Sequence, residues 1–76
     1  MNNQNIQKED FVIQWTNKFS KEVGYVGGMS TKNRCFYNSS QADAKRYKTL
    51  ATAMRIVSTL REYGEAENND FAIIAV

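Results

Sequence analysis

The stretch that decides the fold is Thr49-Leu-Ala-Thr-Ala-Met-Arg-Ile-Val-Ser-Thr-Leu-Arg-Glu-Tyr-Gly64. Apolar side chains at Leu50, Ala53, Met54, Val57 and Leu60 recur at the i, i+3, i+4, i+7 spacing of a helix with one buried stripe. Thr49 is placed to cap the helix, its hydroxyl taking a first-turn N–H that would otherwise lack a partner. Gly64 stands where a left-handed terminating residue is wanted, and Arg61 puts positive charge near the negative end of the helix dipole. Ile56 and Tyr63 widen the stripe to nearly half the cylinder, a face broad enough to rest on a sheet.

Strands are predicted on both sides of this helix. Upstream, Asp10-Phe-Val-Ile-Gln-Trp-Thr16 is rich in aromatic and β-branched residues. Phe11, Ile13 and Trp15 share the face expected to meet the helix, and Val12, Gln14 and Thr16 share the other. Trp15 is expected to be the largest contributor to the core, burying on the order of 200 Å². Asn17–Ser20 reads as a turn and Lys21–Met29 as a second strand, completing a hairpin. Gly24, Gly27 and Gly28 interrupt that strand and signal a bulge, a bend or a close approach. The run Gly24-Tyr-Val-Gly-Gly28 lacks the Gly-Lys-Ser/Thr ending of a phosphate-cradling loop and the spacing of a dinucleotide fingerprint, which favours a bulge or turn.

Ser30–Asn33 is a polar turn, Arg34-Cys-Phe-Tyr37 a short third strand, and Asn38–Asp43 a loop by composition. Ala44–Lys48 either prolongs the helix backwards or forms a brief extended segment; Thr49 as cap favours the extended form, with Tyr47 inward. Downstream, Glu65–Asn69 is an acidic loop, and Asp70-Phe-Ala-Ile-Ile-Ala-Val76 is an apolar strand. A strand apolar on both faces normally lies inside a sheet. From Phe71 to Val76 it carries no polar residue, so neighbours must cover it or it becomes an aggregation hazard. The expected place is beside Asp10–Thr16, the other most apolar strand. The predicted class is therefore α+β: a mostly antiparallel sheet of three to five strands with one amphipathic helix on one face, in the order β-β-β-(β)-α-β. Residues 9–76 form the single domain, preceded by a flexible, Asn/Gln-rich tail over residues 1–8.

Composition narrows function. The 76 residues include no histidine, no proline and one cysteine, Cys35. A chain this short buries only ~60% of its unfolded surface, so the core is thin. Without histidine there is no ordinary general base and no Ser-His or Cys-His pair, and the chain is expected not to be an enzyme. One cysteine excludes an internal disulfide and a cysteine-based zinc cluster; Cys35 reads as a small hydrophobe. Glu65, Glu67 and Asp70 lack the spacing of a calcium loop and read as a solvated loop. No cofactor, metal or small-molecule substrate is expected. No apolar run approaches the ~20 residues that cross a bilayer, so no membrane association is expected, and a reducing, cytoplasmic setting is.

Charge is polarised although the net value is only +2. Lys18, Lys21, Lys32, Arg34, Lys45, Arg46, Lys48, Arg55 and Arg61 face only Glu22 and Asp43 across the middle of the chain. Glu62, Glu65, Glu67 and Asp70 follow with no base among them. Those nine cations, with Tyr37, are the candidate binding surface. Between Lys18 and Lys48 the cations alternate with Phe19, Tyr25, Phe36, Tyr37 and Tyr47, a pattern used by single-strand nucleic-acid binders for phosphate contact and base stacking. No RNP signature, zinc knuckle or helix-turn-helix accompanies it, and so small a core needs several of those aromatics. Protein–protein binding is the leading reading, as a homodimer or with another protein, through strand addition or charge complementarity; single-stranded nucleic-acid binding is the alternative. On the sheet face away from the helix, Val12, Ala72, Ile74 and Val76 are expected to form a small apolar patch. Either the tail or a loop covers it, or it is an interface, and a two-fold dimer through the open face or an edge strand would also hide the last strand.

The layout Phe11-Val-Ile-Gln-Trp15, Gly24-Tyr-Val-Gly27, Arg46-Tyr-Lys-Thr49, Ala53 and the terminal apolar strand resembles small uncharacterised single-domain proteins of Gram-positive bacteria and their phages. The resemblance spans residues 10–76 and is one of core positions. It implies a bacterial or phage cytoplasmic protein, an accessory factor that works by binding, and carries over no active-site residue.

Overall fold

The computed structural model describes residues 9–76; the tail expected over residues 1–8 lies outside the described residues. In chain order the elements are β1 (Phe11–Asn17), β2 (Val23–Ser30), β3 (Cys35–Ser39), α1 (Leu50–Glu62) and β4 (Asn69–Ala75), with a 3-10 turn over Glu65–Glu67 before β4. The strands form one antiparallel sheet in the order β3-β2-β1-β4, with α1 against one face. This is the predicted α+β class and element order.

Local chemistry explains each connection. Between β1 and β2 the Asn17 side chain accepts hydrogen bonds from the backbone N–H groups of Phe19 and Ser20 at 2.9 and 2.8 Å. Such Asx turns substitute a side-chain amide for a backbone carbonyl and reverse the chain. The α1 N-terminus is capped as predicted: Thr49 Oγ1 accepts from the Thr52 N–H at 3.1 Å. At the other end Tyr63 is the C-cap and Gly64 takes the left-handed conformation, φ 88°.

The predicted bulge is real and has a large effect. The β2–β3 register slips between Val26 and Gly28, and Gly28 has φ 144°. Beyond it the β2–β3 ribbon curls towards the helix side. In a flat sheet β3 and β4 would stand three strand spacings apart, ~14 Å. Instead Phe36 of β3 meets Phe71 of β4 edge-to-face with ring centroids 5.8 Å apart, and Phe36 also lies 6.2 Å from Trp15. Where β2 leaves β1, the Ala44–Lys48 segment fills the gap: Lys45 N–H donates to the Val26 carbonyl, and Tyr47 and Phe11 exchange both backbone hydrogen bonds at 2.8 Å. The segment is extended and Tyr47 points inward, as predicted.

Ile13, Val26, Tyr47, Ala53, Val57 and Leu60 form the buried core, and Phe11, Trp15, Phe36, Ile56, Tyr63, Phe71 and Ile73 pack around it. Phe11, Ile13 and Trp15 therefore meet the helix side as expected. Trp15 is mostly covered: it closes one end of the core, and its Nε1–H donates to Asn38 Oδ1 at 3.0 Å. The largest fully buried side chains are Ile13, Leu60, Val12 and Val26. Val12 lies on the face away from the helix yet is fully buried, so the apolar patch expected there shrinks to Ala72, Ile74 and Val76, of which Ile74 is half-buried.

A second expectation is corrected. β4 does pair with β1, through the full register from Phe11↔Ala75 to Asn17↔Asn69, but it is an edge strand and not an interior one. β2 occupies the other side of β1, and among the described residues no further strand exists to cover β4.

Two measurements test this account. A Cβ added at Gly24 would fall 2.5 Å from the Trp15 ring and from Asn38 Oδ1, so Gly24→Ala should destabilise by about 1–3 kcal/mol in chemical denaturation, with the melting temperature falling ~4–8 °C per kcal/mol. Burial raises the Tyr47 phenol above its usual pKa of 10.0. The unfolded chain loses that proton first, so Tyr47 stabilises fully below about pH 10 and its contribution falls as pH climbs through the folded-state value. Tyr47→Phe should flatten that alkaline decline in urea titrations.

Candidate protein-interaction surface

The backbone of β4 alternates in the direction of its hydrogen-bonding groups. Asp10 and Val76 exchange both backbone hydrogen bonds, and Lys18 N–H donates to the Asn68 carbonyl at 2.8 Å. Stepping by two, Asn68, Asp70, Ala72, Ile74 and Val76 turn towards β1, while Asn69, Phe71, Ile73 and Ala75 turn their N–H and C=O groups to the outer edge. Among the described residues no strand takes them up. Over the helix side of this edge runs a groove of about 290 Å³ lined by Met54, Val57, Ser58, Arg61, Phe71 and Ile73. Its lining is apolar apart from Ser58 and Arg61. Arg61 also borders a second, polar recess of about 220 Å³ with Lys18, Asn69 and Asp70.

The groove exists because the wide apolar stripe of α1 has only one covered flank. At ~100° per residue, Ile56 and Tyr63 lie roughly 70–90° to one side of the Ala53–Val57–Leu60 line, and Leu50, Met54 and Arg61 roughly 50–90° to the other. The curled β2–β3 ribbon serves the first flank: the Arg34 guanidinium sits 4.8 Å from the Tyr63 ring centroid and donates to the Glu62 carbonyl at 3.1 Å. The second flank overhangs the β4 edge. Leu50 and Met54, expected in the buried stripe, are 48% and 56% exposed. That expectation is corrected: spacing places both residues near the stripe, but among the described residues no strand covers them.

The candidate cations do not assemble into one surface. Arg46 and Lys48 converge on Asp10 at 3.7 and 3.3 Å, just before β1, whereas Lys18 lies 4.0 Å from Asp70, just after it. Eight residues of extended chain separate these sites by ~26 Å. Lys21 and Lys32 occupy the exposed β1–β2 and β2–β3 turns, Lys45 precedes Arg46, and Arg55 is exposed on α1. Arg34 fastens a turn to the helix end, and Arg61 alone enters the groove. Of the interleaved aromatics, Phe36 and Tyr47 belong to the core and Tyr25 accepts a hydrogen bond from Gln14 Nε2 at 3.1 Å. Phe19 and Tyr37 are exposed; Tyr37 lies on the face away from the helix. Among the described residues no group of three His, Cys, Asp or Glu could hold a metal ion, and no helix is long and apolar enough to cross a membrane.

Sequence reasoning singled out Arg61 and missed its neighbours Met54, Phe71 and Ile73. The available signal was an apolar stripe too broad for one helix face on a small sheet. Because Met54 is exposed and contributes little to the core, Met54→Lys should change the folding stability of the monomeric chain by no more than ~0.5 kcal/mol, measured by chemical denaturation at high dilution, whereas Val57→Ala should cost about 1–3 kcal/mol through its lost burial. Comparison with protein-family models, curated proteins and solved structures finds no match to this chain.

Proposed function

We propose that this chain is a non-enzymatic interaction protein that takes up an extended polypeptide segment along β4, whose side chains enter the groove beneath α1. The observation that carries this reading is the coincidence of an open edge with an apolar groove at the same strand. In strand addition the backbone hydrogen bonds supply affinity and a flanking pocket receives alternate side chains. Asn69, Phe71, Ile73 and Ala75 would supply the hydrogen bonds, and Met54, Val57 and Phe71 the pocket. Arg61 at the rim provides one cation to set the orientation of the incoming segment.

Single-stranded nucleic-acid binding calls for contiguous cations and free aromatic platforms. The dispersal of Lys18, Arg34, Arg46 and Lys48 onto internal partners, with Phe36 and Tyr47 in the core, gives it less support.

A random extended-peptide library is the direct probe. Selected peptides should alternate apolar residues and shift the backbone amide resonances of Phe71, Ile73 and Ala75 together with the Met54 methyl signal. Peptides that perturb only the Lys21 and Lys32 turns, or a library that yields no binder to the chain at a dilution where it is monomeric, would overturn strand addition.

A further inference from the structure

We infer that the segment seated on β4 is β4 of a second copy of this chain, in an antiparallel two-fold dimer that joins two four-stranded sheets into one. The inference rests on the strand-addition reading and names its partner.

The edge is complementary to itself. A two-fold axis at Ala72 sets Phe71 opposite Ile73 of the second copy and Asn69 opposite its Ala75. These are the residues whose N–H and C=O groups point outward, so every exposed group along the strand meets a partner. Charge does not oppose the pairing. Asp70 is the only ionisable side chain on β4; the axis places the two copies of Asp70 four residues apart, ~14 Å, beyond the ~8 Å screening length of physiological salt.

The side chains fit the same geometry. Phe71 and Ile73 of both copies would form a shared floor on the helix side, and the two grooves would merge. Three strand spacings separate one β1 from the other, ~14 Å, wider than the 8–10 Å of direct helix contact. Leu50 and Met54 of both helices stand at the walls of that space, which accounts for apolar side chains that the isolated chain leaves exposed. β3, the opposite edge, is only five residues long and carries Asn38 and Ser39; β4 is seven residues long with no lysine and no proline. Short polar edges are self-protecting, whereas long apolar ones need a cover. A second copy is the cover available to every molecule of this protein.

Analytical ultracentrifugation of the full chain over a wide concentration range should show a species of twice the 8.7 kDa monomer mass. Met54→Lys and Ala75→Pro should each weaken that dimer by more than about tenfold while leaving the far-UV spectrum intact. The Ala75 N–H is not used by β1, and proline is tolerated on edge strands. In a Cys35→Ser background, Ala72→Cys should oxidise to a linked dimer, because facing residues of a non-hydrogen-bonded antiparallel pair have Cα atoms ~4.5 Å apart, within disulfide reach. A monomer at all concentrations overturns the inference. If the peptide library still footprints β4 in that monomer, strand addition stands with another partner; if it does not, both fail. A monomer whose Phe71 and Ile73 amides exchange slowly would assign the edge to a segment of the same chain and also overturn the dimer. So would a dimer that survives Met54→Lys and Ala75→Pro and does not cross-link through Ala72→Cys.

Discussion

The contact between Phe36 and Phe71, 5.8 Å between ring centroids, joins strands at the two opposite ends of a four-stranded sheet. The β2–β3 ribbon bends over the helix side to make it, and the slip at Val26/Gly28 lies in that ribbon. The result is a half-closed shell. The shell covers the Ile56/Tyr63 flank of α1 and supplies the aromatic wall of Trp15, Phe36 and Phe71. A small domain cannot build a second such wall, and the Leu50/Met54 flank is left to the solvent or to a partner.

The cations serve this arrangement more than they decorate it. Arg34 ties the ribbon's turn to the last turn of α1, where the guanidinium meets both the Tyr63 ring and an unpaired helix carbonyl. Helix C-terminal carbonyls have no intrahelical donors, so a cation there is doubly favourable. Asp10, flanked by Arg46 and Lys48, holds the start of β1 beside the segment that leads into the helix. The Arg46 and Lys48 ends of the two ion pairs are exposed while Asp10 is 19% exposed, and screening of the exposed ends keeps each contribution to about 1 kcal/mol; their role is to fix where the connecting segments run.

The exposed edge of β4 and the exposed flank of α1 are two consequences of the same shortage of strands. In a larger α+β domain a fifth strand would cover both at once, pairing with Phe71, Ile73 and Ala75 while burying Met54. Edge and groove lie at the same strand, which is why they are read together as one surface.

How much of this was written in the linear chain can be judged residue by residue. Thr49, the Ala53–Val57–Leu60 line, Gly64, the alternation Phe11–Ile13–Trp15 and the glycine-marked bulge were all legible, because capping, helical periodicity, strand alternation and left-handed backbone are short-range effects. The inward Tyr47 followed from the cap at Thr49 for the same reason. The fate of Leu50 and Met54 was not legible: periodicity gives the direction of a side chain but not whether another element stands there. Nor was the edge position of β4, since an apolar strand signals a need for cover without saying that the cover lies within the chain. The cations likewise looked like one surface because they are close in sequence, and the tertiary structure spread them to both ends of β1. Short-range sterics and periodicity determined the elements; only the packing of four strands around one helix decided which apolar surfaces were left without a partner.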